Sequence, residues 1–111
     1  MQVKVSKQDE IENRPGCVAS ALCILGNKWT ALIVKELSEG HVRFSTLEHT
    51  LTGISPRTLS QRLDDMEQEG LITKQSFAET PPRVEYTLTS KGRDLLPILK
   101  SMAEWGSRYH I

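Results

Sequence analysis

Ser55, Arg57, Thr58, Gln61 and Arg62 fall within eight consecutive residues. Two hydroxyls, a carboxamide and two guanidiniums suit hydrogen bonding to phosphate oxygens and to the edges of bases. The same stretch carries no nucleophile beside a base and no phosphate-cradling glycine loop, so its chemistry is recognition rather than bond making. Acids follow at once: Asp64, Asp65, Glu67 and Glu69. On one helix they would oppose the dipole at its C-terminus, an order that helix stability alone does not favour. It suits a helix that brings its N-terminal end to something anionic and keeps the other end away. The plainer alternative is a solvated amphipathic helix.

The local sequence builds that helix. Ser55 is a good N-cap and Pro56 fits the first turn, where its missing N–H is not needed. Ile54 lies at staple spacing from Leu59, and Gly70 supplies a left-handed stop. Leu59, Leu63 and Met66 form a narrow apolar stripe, which turns Arg57, Gln61, Asp65 and Gln68 to the opposite face with Thr58 and Arg62 on its flank.

The totals bound the rest. A chain of 111 residues holds one core, and 38% hydrophobic with 25% charged residues is ordinary for a globular protein. The net charge is zero, with 14 basic and 14 acidic residues, which counts against nucleic-acid binding. The charges are segregated, however. Residues 41–62 hold Arg43, Arg57 and Arg62 against Glu48 alone, so a neutral total conceals a basic face backed by an acidic one. Two cysteines, Cys17 and Cys23, make no disulfide framework. No apolar run is long enough to cross a bilayer and no leader pattern opens the chain, so a cytoplasmic location without membrane association is expected.

Along the chain, residues 1–16 read as a polar arm ended by Pro15-Gly16. Val18, Ala21, Leu22 and Leu25 repeat at helical spacing, and Gly26 closes that helix. Asn27 caps the next, which buries Trp29, Leu32, Ile33 and Leu37. Both helices read as core. Ser45-Thr46-Leu47-Glu48 has the form of a capping box opening a short helix with Phe44, Leu47 and Leu51 on its apolar side. Thr52-Gly53 then turns the chain into the Ser55 helix, which makes a helix-turn-helix. Two strands follow, 71–77 and 83–88, around the loop Ala78-Glu79-Thr80-Pro81-Pro82. Helix, strand, loop and strand form a wing, where Lys74 and Arg83 are candidates for phosphate or minor-groove contact. A final helix opens at Thr89 and carries Leu95, Leu99, Met102, Trp105 and Tyr109. Pro97 must kink or restart it. So apolar a terminal helix predicts a surface covered by a second copy.

The expected fold is therefore α+β: a winged helix-turn-helix, mostly helical, with a two- or three-stranded wing. Residues 1–16 form the arm, 17–90 the winged unit and 91–111 the dimerisation helix of the same compact body.

The run Val18-Ala19-Ser20-Ala21-Leu22-Cys23-Ile24-Leu25-Gly26-Asn27-Lys28-Trp29-Thr30 resembles the opening of the HxlR-type winged-helix regulators, and the resemblance runs on through Arg43-Phe44-Ser45-Thr46-Leu47 and Gly53-Ile54-Ser55 to Leu59-Ser60-Gln61-Arg62-Leu63. It continues through Glu69-Gly70-Leu71-Ile72, Pro82-Arg83-Val84-Glu85-Tyr86-Thr87-Leu88-Thr89, Gly92-Arg93-Asp94-Leu95-Leu96-Pro97 and Trp105-Gly106. It implies a homodimeric transcriptional regulator that binds double-stranded DNA, with dimer contacts from its first and last helices, here Val18, Leu22, Leu95, Leu99, Met102, Trp105 and Tyr109. The Ser55 helix would enter the major groove, and Ser45, Ser55, Arg57, Thr58, Gln61, Arg62, Lys74 and Arg83 are the candidate DNA contacts. Some members sense oxidants through a Cys-Pro-Val cysteine before the first core helix. Here Gly16-Cys17-Val18 displaces the thiol by one residue, which makes Cys17 a rotated counterpart of that sensor.

Two dimer-related reading helices would lie about one duplex turn apart, roughly 34 Å, and require a pseudo-palindromic operator. The competing reading is a protein-interaction module on the same scaffold. An enzyme or a metal site is not expected: His41 and His49 are too far apart for ligand spacing on a helix, and no cofactor motif appears.

Overall fold

The computed structural model describes residues 18–109, so the arm 1–16 and Cys17 lie outside the described residues. Six helices and two strands follow in order: α1 (Val18–Leu25), α2 (Lys28–Ser38), α3 (Phe44–Thr50), α4 (Pro56–Gln68), β1 (Ile72–Phe77), β2 (Arg83–Leu88), α5 (Ser90–Arg93) and α6 (Leu96–Tyr109). Among the described residues no single helix is long and apolar enough to cross a membrane.

The core gathers one stripe from each element. Leu59, Leu63 and Met66 of α4 meet Ile33, Val34 and Leu37 of α2, Leu47 and Leu51 around α3, and Leu71, Ile72, Tyr86 and Leu88 from the sheet. Each is buried because its helical or strand period keeps returning it to the same side, and burying a large aliphatic side chain contributes about 1.5–3 kcal/mol. Trp29, Leu32, Phe44 and Val84 pack around this centre, half-buried.

The strands pair antiparallel from Ile72 opposite Leu88 to Phe77 opposite Arg83. A partial third edge comes from the loop before α3. The amide of Tyr86 donates to the Val42 carbonyl at 2.8 Å, and Arg43 forms an isolated bridge with Glu85.

That bridge corrects one expectation. Ser45 does not cap α3, which starts at Phe44 with Arg43 as an N-cap that makes no side-chain hydrogen bond. Pairing with β2 fixes the backbone at Arg43, and this long-range constraint overrides the local capping signal. Asn27 does cap α2, accepting from the amides of Trp29 at 2.9 Å and Thr30 at 3.3 Å.

A second correction concerns α1. It reads as core by periodicity, yet none of its residues is buried; Val18 and Leu22 are 64% and 59% exposed. An amphipathic period shows that a face needs covering, not that the same chain covers it.

Pro97 restarts the last helix. The chain makes the short α5, capped by the Thr89 hydroxyl, turns through Asp94 and Leu95, and begins α6 at Leu96. Pro97 then sits in a first turn, where no N–H is required.

The junction between α4 and β1 is held by the chain that leaves β2. The Thr89 hydroxyl donates to the Gly70 carbonyl at 2.6 Å and the Thr89 amide to that of Leu71 at 2.9 Å. The Lys91 ammonium donates to the Glu69 carbonyl at 2.6 Å, satisfying one of the orphan acceptors at the helix end. Gly70 has φ +75°, the left-handed conformation that lets the chain leave the helix sharply.

Tyr86 gives the fold a pH limit. Burial, and after it the carboxylates of Asp64 and Glu67, hold its phenol above the ordinary 10.0. A phenol raised in the folded state contributes stability that is present below that ordinary value and lost as pH rises through the folded one. Thermal melts are therefore expected to fall as pH climbs past about 10. The fall should be smaller in Tyr86→Phe, which has nothing to ionise there.

Candidate nucleic-acid interface

The outward face of α4 starts from its cap. Ser55 Oγ accepts from the Thr58 amide at 3.1 Å and donates to Thr58 Oγ1 at 2.9 Å. With the Ser55 proton engaged inside the cap, the hydroxyl hydrogen left to point outward is that of Thr58. Arg57, in the first turn of the helix and exposed, makes no hydrogen bond or ion pair among the described residues. Its guanidinium stands at the helix end where the dipole already favours an anion.

Gln61 is exposed one turn further on. Its Nε2 donates to Asp65 Oδ1 at 3.0 Å, which fixes the amide and leaves its carbonyl oxygen free. A pinned carboxamide has already lost much of the rotamer entropy that a contact would cost.

Arg62 stands differently. It is half-buried, ion-paired with Asp65, and lines a cleft towards Asn27 and Thr30. The four outward-facing groups are thus Ser55, Arg57, Thr58 and Gln61, with Arg62 turned to the flank.

The wing shows the same division. Lys74 is exposed on β1, opposite Tyr86 in the ladder, and has no ion-pair partner among the described residues. Arg83 lies over the Phe77 ring at 4.1 Å, with Glu79 at 3.2 Å and Glu85 at 3.1 Å from its Nε. Stacked and matched by two carboxylates, Arg83 holds the wing together, and its charge is offset before any ligand arrives.

Ser45 is exposed in the first turn of α3 and lines a cleft of about 480 Å3 against the wing loop, with Arg43 beside it. Arg43 enters the sequence reading as a charge in the 41–62 tally and within the run 43–47, and not as a candidate contact. It is exposed and 3.7 Å from Glu85, a pairing across more than forty residues that no local spacing reveals.

The dimer candidates also divide. Leu95 and Leu99 are half-buried against the core of their own chain. Val18 and Leu22 of α1 are exposed, as are Ile98, Met102, Trp105 and Tyr109 of α6. The Trp105 and Tyr109 rings lie 5.1 Å apart. His41 is not a free surface residue: its Nδ1 is 2.6 Å from the Glu36 carboxylate, with Glu39 close by and ion-paired to Lys35.

Comparison with known proteins agrees with this architecture. The HxlR-like helix-turn-helix family matches residues 24–111. The HTH-type regulator YvaP of Bacillus subtilis is 44% identical over 89 residues, covering 80% of this chain and 82% of its own length. An HTH-type regulator of Methanothermobacter thermautotrophicus is 41% identical over 85 residues, 77% of this chain; the match spans only 65% of that relative. The reduced form of the transcriptional regulator YodB of B. subtilis superposes with a TM-score of 0.71 at 32% identity, over 96% of this chain and 95% of that one. These relatives are regulators rather than enzymes. With the family matched over most of its length, and with two helices, a tight turn and a wing in the required order, the chain belongs to the HxlR-like helix-turn-helix family of transcriptional regulators.

Proposed function

We propose that this protein is a cytoplasmic, sequence-specific regulator that binds a pseudo-palindromic DNA operator as a homodimer. The observation that carries this reading is the N-terminal end of α4: an unpaired, exposed Arg57 beside Thr58 and a pinned Gln61, all raised on a helix whose opposite face is fully buried. Arg57 supplies a guanine or phosphate contact, Gln61 a base-edge acceptor and Thr58 a hydroxyl donor. Ser55 sets their register, and Ser45 and Lys74 flank them on the backbone. Arg62 and Arg83 position the helix and the wing.

Dimerisation uses the exposed α1 and α6 surface, with Leu95 and Leu99 beneath it. Two copies then present their α4 tips about one duplex turn, roughly 34 Å, apart.

The test is a footprint and gel shift on the DNA upstream of the coding region, with the mass of the complex measured by light scattering. Arg57→Ala is expected to cost about 1–3 kcal/mol of operator affinity if Arg57 reads a base. An unchanged shift removes it from the interface. The zero net charge and the internal pairing of Arg62 and Arg83 favour one competitor, a protein-interaction module without DNA. Salt separates the two, because a DNA binder loses affinity steeply as ionic strength rises. A protein that retains no duplex at low salt is the module.

A further inference from the structure

The end of α2 closes on itself. Gly40, at φ +92°, takes the left-handed conformation that turns the chain back along the helix. Its amide donates to the Leu37 carbonyl at 3.2 Å, and the His41 amide donates to the Glu36 carbonyl at 3.1 Å. These two bonds make a Schellman turn, which frequently joins two apolar side chains across the helix end. Here it sets an imidazole on a carboxylate, with His41 Nδ1 2.6 Å from Glu36 Oε2. Glu39 follows Glu36 by three residues and so shares its face. One ligand atom from each of Glu36, Glu39 and His41 lies within 4.8 Å of the other two.

Glu36 is the buried member of the three. Its side chain is only 15% exposed, and His41 is its one side-chain partner among the described residues. A carboxylate offers about four acceptor positions, so most of its capacity is unused. Glu39 is held by Lys35 alone, at 3.7 Å, and both side chains reach solvent. Two carboxylates against one ammonium leave room for a cation.

The ligand types narrow which cation. Imidazole nitrogen with carboxylate oxygen suits zinc, whereas magnesium and calcium prefer oxygen alone. Tetrahedral ligands about 2.0–2.2 Å from zinc stand roughly 3.3–3.5 Å from one another. Glu36 and His41 would therefore part by about 1 Å or less, and Glu39 would close by at most about 1.5 Å, for zinc to fit between them. Spacing between histidines gives no sign of this cluster, because its members come from one helix end and the turn beyond it.

We propose that Glu36, Glu39 and His41 bind one divalent cation of the zinc class, with water in the fourth position. The ion would tie α2 to the segment that pairs with β2 at Val42 and Arg43 and then opens α3. This goes beyond the DNA-reading function proposed above and does not depend on it.

Zinc sulfate is the probe, titrated into the full isotope-labelled chain without DNA. Binding is followed by NMR and by competition with a chelating indicator. Thiols also take zinc, so Cys17→Ser and Cys23→Ser are in place throughout. One equivalent is expected to bind, with shifts centred on Glu36, Glu39 and His41. Glu39→Gln and His41→Phe should each weaken binding by about tenfold or more. Glu39 lies at the exposed edge of the cluster, so a loss in Glu39→Gln will not reflect lost folding. Magnesium should bind at least about a hundredfold more weakly than zinc.

Undiminished binding by either variant overturns the proposal, as do zinc shifts centred elsewhere. Magnesium binding as tightly as zinc also overturns it, because any acidic surface would do the same. Zinc should raise the melt of the parent more than that of Glu39→Gln. An unmoved parent melt overturns the tie between α2 and α3.

Discussion

Trp105→Asp is expected to turn a dimer into monomers and to cost about 10²–10⁴-fold in operator affinity. The size follows from linkage: in a dimer the second half-site is engaged at the effective concentration set by the first, and a monomer loses that advantage without losing any base contact. Trp105 is 56% exposed, its ring lies tilted beside that of Tyr109, and Met102 lies one turn before it. Large aromatic groups at the centre of an interface are where truncation costs most, and a carboxylate there would meet apolar surface with no partner for its charge. Light scattering gives the mass and the gel shift gives the affinity. A dimer that survives Trp105→Asp with undiminished affinity rules out the α6 surface as the interface. The substitution lies outside the core of the chain, so the monomer should still unfold cooperatively, at a melt lowered by the loss of its partner.

Gly92→Ala is expected to do the reverse, sparing the interface surface and destabilising the fold. Gly92 is buried, and a Cβ built on it would press into the Leu71 carbonyl oxygen and come within 3.1 Å of Leu88 Cδ2. The first obstacle is backbone, which cannot rotate away as a side-chain tip can. Overpacking of this kind costs about 1–3 kcal/mol and sometimes more. Each kcal/mol lowers the melting temperature of a domain near this size by about 4–8 °C. A melt unchanged by Gly92→Ala would mean that α5 moves off Leu71 freely, which would contradict the contact.

The parts of this fold that could be read from residues are those decided locally. Ser55, Pro56 and Gly70 mark the ends of α4 through chemistry confined to a few neighbours, and the structure places those ends accordingly. The alternation of Val84, Tyr86 and Leu88 likewise describes β2 without reference to anything distant.

What escaped the sequence was set by partners far along the chain. Ser45 lost its capping role because Arg43 is held by Glu85. The charge on Arg83 could be counted but not located; Phe77, Glu79 and Glu85 surround it only once the hairpin has closed. On α4 itself, helical angles put Arg62 at the edge of the polar face, and only the side chain's pairing with Asp65 turned it towards the cleft. On α1, periodicity named Val18 and Leu22 as a core face, yet both are exposed and Ile24 is the residue that packs against the core.

The grip of Thr89 and Lys91 on Glu69, Gly70 and Leu71 has a mechanical consequence. It fastens the foot of α4 to α5, the short helix that leads into α6. A 13-residue helix is a lever roughly 20 Å long. Pivoting it by about 10° at the pinned end would sweep the arginine-bearing tip through about 3 Å, a full hydrogen bond's reach. Any small displacement of α5 would thus arrive at that tip magnified.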